Sequence, residues 1–366
     1  MNSENDNLKN RFKSRIGPYI MGFLISLFLI TGLCLIFYNF FLKAPYPREP
    51  VENVEIESLI HISSQEEIQE TREKLIEYIW GTKGIPERMP DQVEIDINDE
   101  QYNGMSDLAR IDRLTINMEN GINSIAYMFH PLNPGNQLII YHQGHNGGFD
   151  LGKSYIQRFL NQRFTVIAFS MPLHGMNSQP TILIPELGPI SLVEHDRLKF
   201  LDYPFHYFLE PISTTLNYIE LNFSFEYIAM TGISGGGWTT TLYAAVDPMV
   251  SHTYPVAGSL PLYLRGSGSE WGDFEQTDPE LYTIANYLDL YLLGAANGEQ
   301  VQILNKNDPC CFGGTRHIVY EKIIHEKAQT LDGEFSIFHD DSHRKHEISN
   351  EALTLIIEKL ESIQSD

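Results

Sequence analysis

The apolar positions change rhythm along the chain. From residue 20 to residue 41 they run almost without interruption, and no charge occurs between Arg15 and Lys43. About 20 apolar residues cross a bilayer, against roughly 7–15 for the core of a cleaved signal peptide. No small-residue cleavage site follows, so residues 16–42 predict an uncleaved, single-pass transmembrane helix. Lys9, Arg11, Lys13 and Arg15 precede it, and only Lys43 and Arg48 follow closely. That bias predicts a cytoplasmic N-terminus over residues 1–15 and a main domain on the extracytoplasmic side. Residues 43–54, with Pro45, Pro47 and Pro50, read as a stiff linker.

Beyond the linker the pattern shortens. Ser63-Ser64-Gln65-Glu66-Glu67 supplies a capping box for a helix running through Trp80 and ended by Gly81. Period-two alternation predicts strands at 93–97, 109–118 and 124–129, with Asn120-Gly121 as the turn of a hairpin. Short apolar runs then alternate with helical periodicity. Strands are expected at 138–142, 165–169, 252–257, 301–304 and 334–338, and helices at 151–161, 211–221, 318–329 and 350–363, the last capped by Ser349. Repeated strand–helix units make an α/β domain, a mostly parallel sheet with helices on both faces. The pattern predicts one such domain over 55–366, with an N-terminal extension at 55–110. Two excursions, 172–210 and 258–294, read equally as a lid or as surface loop.

Between two of these elements lies Gly232-Ile233-Ser234-Gly235-Gly236. An apolar run from residue 227 to 230 precedes it and a helix-compatible run to residue 245 follows. Strand, G-x-S-x-G and helix describe a nucleophile elbow, in which a tight turn holds a serine hydroxyl clear of the backbone at a helix N-terminus. The isolated pattern is weak, since glycine and serine are ordinary turn residues; its context strengthens it.

A serine hydroxyl needs a base, and the base an orienting acid. Both belong at the C-terminal ends of later strands. Asp308 stands just past the strand expected at 301–304. The base falls in His339-Asp-Asp-Ser-His343-Arg-Lys-His346, where His346, directly ahead of the closing helix, is preferred over His343. The same cluster contains possible metal ligands but no helix-borne ligand spacing, so neither metal nor cofactor is expected. An oxyanion hole is expected from the loop Gln143-Gly144-His145-Asn146-Gly147-Gly148, using the amide of His145 together with that of Gly235.

Charge and cysteine content narrow the class. A net charge of −23 argues against nucleic acid as a partner. Cys34 lies in the apolar span, and the adjacent Cys310 and Cys311 read as two small buried apolar residues rather than a disulfide framework.

With these segments in place, the chain resembles the α/β-hydrolases, in particular the dienelactone hydrolase and acetyl xylan esterase-like branch. Gly144-His145-Asn146-Gly147-Gly148 is similar to that branch's oxyanion loop. Met171-Pro-Leu-His174-Gly175-Met-Asn-Ser178 resembles the turn after its fourth strand, and His346-Glu-Ile-Ser349 its closing loop. The likeness covers roughly residues 110–366. It implies the α/β-hydrolase fold and acyl transfer without a cofactor: Ser234 attacks a carbonyl, His346 carries the proton and Asp308 holds the imidazole. A membrane-anchored carboxylic ester hydrolase acting on a small-molecule ester or amide is the expectation. A serine peptidase of prolyl-oligopeptidase-like type and a non-catalytic binding module of the same fold are the alternatives.

Overall fold

A computed structural model describes residues 26–32, 55–266, 268–296 and 298–363. The chain divides into two units, 1–47 and 48–366. Of the first, residues 26–32 are helical; the rest of the expected membrane span lies outside the described residues. Among the described residues no helix is long and apolar enough to cross a membrane.

The second unit is built on a nine-stranded sheet in the order β1-β2-β3-β5-β4-β8-β9-β10-β11. These are β1 (Gln92–Glu94), β2 (Leu108–Asn117), β3 (Asn123–Pro131), β4 (Gln137–His142), β5 (Thr165–Phe169), β8 (Tyr227–Ile233), β9 (Val250–Val256), β10 (Glu299–Asn305) and β11 (Glu334–Asp340). From β5 to β11 neighbouring strands are parallel, while β1, β2 and β3 form an antiparallel edge. The remaining strands, β6 (Thr181–Ile184) and β7 (Gly188–Ser191), make a separate hairpin inside the first excursion.

Alternate residues of the central strands enter different cores, as the pleat requires. Ile139 and Tyr141 of β4, with Val166 and Ala168 of β5, pack with helices α2 (Lys153–Asn161) and α7 (Asn350–Ser362). Leu138, Ile140, Ile167 and Phe169 face the opposite core. There lie α1 (Gln65–Trp80), α3 (His206–Asn222), α4 (Gly235–Val246), α5 (Tyr287–Ala295) and α6 (Glu321–Thr330). Both faces are covered, which is why the parallel strands read as unbroken apolar runs.

Several expected boundaries move, each for a local reason. The hairpin turn holds: Asn120 and Gly121 both have positive φ, 59° and 75°. β1 is shorter than 93–97 because Asp96 turns the chain out at φ 56°, its amide donating to Asp112 Oδ1 at 2.9 Å. α3 starts before Pro211 rather than at it, since Tyr207, Phe208 and Leu209 are buried in the extra turn. The capping box is split. Ser64 Oγ accepts from the Glu67 amide, while Glu67 Oε2 accepts from the amide of Ser63, one residue earlier. Every residue of α5 is buried, so the last part of the 258–294 excursion, from residue 287, is core.

Candidate active site

β8 delivers Ser234 to the C-terminal edge of the sheet, and the helix α4 begins at the next residue. Ser234 sits at φ 57°, ψ −121°, a backbone region that costs a non-glycine residue about 1–3 kcal/mol. Its amide donates to Val256 O at 2.9 Å and its carbonyl accepts from the Trp238 amide at 2.9 Å, which hold the turn in place. The elbow is also tight. A Cβ on Gly236 would lie 2.1 Å from His142 O, and one on Gly232 would lie 2.4 Å from Gly236 O. No side chain fits at either position.

Asp308 follows β10 in a turn and is fully buried. Its Oδ1 accepts from the Cys310 and Cys311 amides at 2.7 and 3.1 Å. Its Oδ2 accepts from His346 Nδ1 at 2.7 Å and from Asn305 Nδ2 at 3.4 Å. With Nδ1 donating, the imidazole presents Nε2, which is buried and has no hydrogen-bond partner among the described residues. A cleft of about 210 Å3 is lined by Ser234, His346, Gly144, His145, Asn146 and Tyr155 among others. A larger cleft, about 990 Å3, lies around Trp80, Arg88, Tyr203 and Glu210, and no serine, threonine or cysteine is among its described lining residues.

The other histidines of the cluster go elsewhere. His343 Nε2 stands 3.5 Å from Asp340 Oδ2. That carboxylate also takes hydrogen bonds from Ser342 and Ser349. His339 donates to Gly314 O at 3.0 Å and its ring lies 4.5 Å from that of His317. The cluster that looked like one group in sequence therefore disperses, and only His346 reaches Asp308.

The loop after β4 lies directly on the elbow. A Cβ on Gly144 would fall 2.8 Å from Ser234 Cβ, and one on Gly235 would fall 2.4 Å from His145 Cε1. The Gly144 backbone and the His145 ring are thus brought against the first turn of α4, where helix amides have no intrahelical acceptor. Beneath it His142 is buried, and its Nδ1–H donates to Gln143 O at 2.9 Å. Burial pushes that imidazole down to about 4.

Two features were missed from sequence. Cys310 and Cys311 are joined in a disulfide, which corrects their reading as independent apolar residues. Adjacent cysteines bridge only with strain, which is why the sequence favoured two small apolar residues. The second is a polar cluster joining the oxyanion loop to both excursions. His145 Nε2 donates to Glu275 Oε1 at 2.9 Å, and His195 Nδ1 lies 3.4 Å from the same oxygen. Glu275 is fully buried. Burial raises its pKa, but the hydrogen bonds from His145 and His195 outweigh that and bring it to about 2. No motif spacing announces this cluster, because its members are 50 to 130 residues apart.

No family model matches the sequence, and no curated protein matches it. Solved structures do. Acetyl xylan esterase 1 from Thermoanaerobacterium sp. aligns over 84% of this chain and 99% of its own, at 16% identity and a TM-score of 0.52. A methylesterase, BT1017, aligns over 82% of this chain and 63% of its own, at 12% identity and a TM-score of 0.53. At such identities the likeness is one of fold, and it agrees with the strand order and elbow above: the chain has the α/β-hydrolase fold.

Proposed function

We propose that this chain is a serine hydrolase that cleaves carboxylic esters through an acyl-enzyme. The observation that carries the reading is the buried His346–Asp308 hydrogen bond of 2.7 Å, whose imidazole shares a cleft with the strained, helix-capping Ser234. In this reading Ser234 Oγ attacks the acyl carbonyl while His346 Nε2 takes its proton, and Asp308 steadies the imidazolium. The amides of His145 and Gly235 receive the oxyanion. Collapse expels the alcohol, protonated by His346, and water then attacks the acyl-enzyme by the same path.

The cleft of about 210 Å3 is smaller than the roughly 300–1,000 Å3 of sites for drug-sized ligands, which favours a short acyl group. The names of the two structural neighbours, an acetyl xylan esterase and a methylesterase, point the same way. The uncharged stretch between Arg15 and Lys43 supports tethering of this domain to a membrane, with the domain on the extracytoplasmic side. A C-terminal alkaline phosphatase fusion that is inactive would overturn that topology.

The activity is tested with p-nitrophenyl esters of increasing chain length, alongside aminoacyl amides and a fluorophosphonate probe. Hydrolysis fastest for acetate, with labelling lost in Ser234→Ala, is the expected result. Folded protein that neither labels nor turns over any substrate would leave a binding module. Amide cleavage faster than ester cleavage would make it a peptidase.

A further inference from the structure

Three segments distant in sequence meet beside the oxyanion loop. His145 comes from the loop after β4 and His195 from the short 3-10 helix His195–Phe200 in the first excursion. Asp273 and Glu275 come from the start of the one-turn helix Phe274–Thr277 in the second. One ligand atom from each of the four lies within 4.8 Å of all the others. We infer that these four side chains form a structural zinc site that pins the oxyanion loop to both excursions.

The spacing fits the metal. His145 Nε2 is 2.9 Å from Glu275 Oε1 and 3.3 Å from Asp273 Oδ2. His195 Nδ1 is 3.4 Å from Glu275 Oε1 and 3.8 Å from Asp273 Oδ2. Zinc bonds of about 2.0–2.2 Å at tetrahedral angles put ligand atoms roughly 3.3 Å apart, in the middle of this range. Two imidazoles and two carboxylates, with no thiolate, are within zinc's usual set. Four ligands are too few for calcium or magnesium, which take six or more oxygens or keep several waters.

Tautomer and charge agree. His195 Nε2 lies 2.9 Å from Pro172 O and must donate to it, since a carbonyl only accepts. That outer hydrogen bond is the one a metal-binding histidine usually makes, and it turns Nδ1 towards the two carboxylates. Glu275 is fully buried, and its Oε2 has no hydrogen-bond partner among the described residues. Glu275 brings a fully buried carboxylate beside that of Asp273, and a single divalent ion would balance the charge of the pair. His174 packs edge-on to His195, ring centroids 5.2 Å apart, and closes the site without offering a fifth ligand. The hydrogen bonds among these four groups are then the relaxed form of a coordination shell.

The test uses the full chain, purified with zinc present and dialysed against buffer. Elemental analysis should find about one zinc per chain. Cobalt(II) in its place should give the visible absorption of a tetrahedral site. Chelation should lower Tm by several degrees, and zinc should restore it. Asp273 is half exposed, so Asp273→Asn should fold, and it should lose both the metal and the response to chelator; Glu275→Gln should do the same. Folded wild-type protein that holds no zinc, gives no cobalt bands and melts identically with and without chelator overturns the site. So does zinc that survives in Asp273→Asn and Glu275→Gln but is lost in His346→Gln, which would put it at the triad.

Discussion

Asp308 accepts hydrogen bonds from two backbone amides, from Asn305 and from His346, and their arrangement sets the chemistry of its partner. Two backbone amides fix Oδ1, so the carboxylate cannot rotate away, and Oδ2 is left for His346. One tautomer of the imidazole satisfies that geometry, and it aims the basic nitrogen into the cleft. His346→Gln is therefore expected to lower kcat for p-nitrophenyl acetate by on the order of 10^4-fold or more, and Asp308→Asn by about 10^4-fold. His343→Gln should change kcat by less than about tenfold, since its ring pairs with Asp340 rather than Asp308. Equal losses in the two histidine variants would mean that the base is not assigned by this hydrogen bond. Sequence could rank these histidines only by distance from the closing helix. What separates them is which carboxylate each ring reaches: His346 Nδ1 lies 2.7 Å from Asp308 Oδ2, whereas His343 Nε2 stands 3.5 Å from Asp340 Oδ2.

The elements owe their positions to contacts between segments that sequence treats as unrelated. α1 belongs to the extension that the family resemblance leaves unexplained, yet Leu75 and Ile79 on it are wholly buried. From the same helix Arg72 Nε donates to Ala245 O at 3.1 Å, at the end of α4. A cation there meets carbonyls that a helix C-terminus leaves without partners. Leu75→Ala should accordingly cost about 2–5 kcal/mol of stability, read by urea denaturation, although it is far from the cleft. A loss below about 0.5 kcal/mol would show that the extension is only loosely held. The acid loop is secured in a similar way: Arg316 makes paired bonds of 2.7 Å to Glu270, and both are buried. Arg316→Met leaves that buried carboxylate without its cationic partner and should cost about 3–5 kcal/mol in the same assay. Parallel strands, the elbow and the caps were legible because each is written in a few neighbouring residues. The Arg72 and Arg316 anchors were not, since a long cationic side chain looks like surface until its partners from elsewhere in the chain are in place.

For the molecule as a whole, acid brings two opposing effects. A chain of net charge −23 repels itself, and protonating its carboxylates relieves that strain. Exposed carboxylates take up protons mostly near pH 4, so the relief comes late. Buried imidazoles act earlier. His317 is held down to about 4 by burial and by neighbouring His339, and His142 to about 4 by burial. Unfolded, either would protonate near 6.5. Between about pH 6.5 and 4 the unfolded chain therefore binds more protons than the folded one, and stability falls as pH falls. Depressed carboxylates extend the loss further. Asp112, whose burial is outweighed by bonds from His130, the Asp96 amide and Arg110, sits at about 2, so its contribution fades only as pH drops below the ordinary aspartate range. Urea denaturation between pH 7.5 and 4.5 should show a continuous decline in the free energy of unfolding. His317→Asn, which cannot titrate there, should decline less steeply. Subtracting one profile from the other reads His317 with its neighbour His339 and removes the groups that lie away from the pair. A difference that stays flat across this window would mean that the ring at position 317 takes up its proton as readily folded as unfolded.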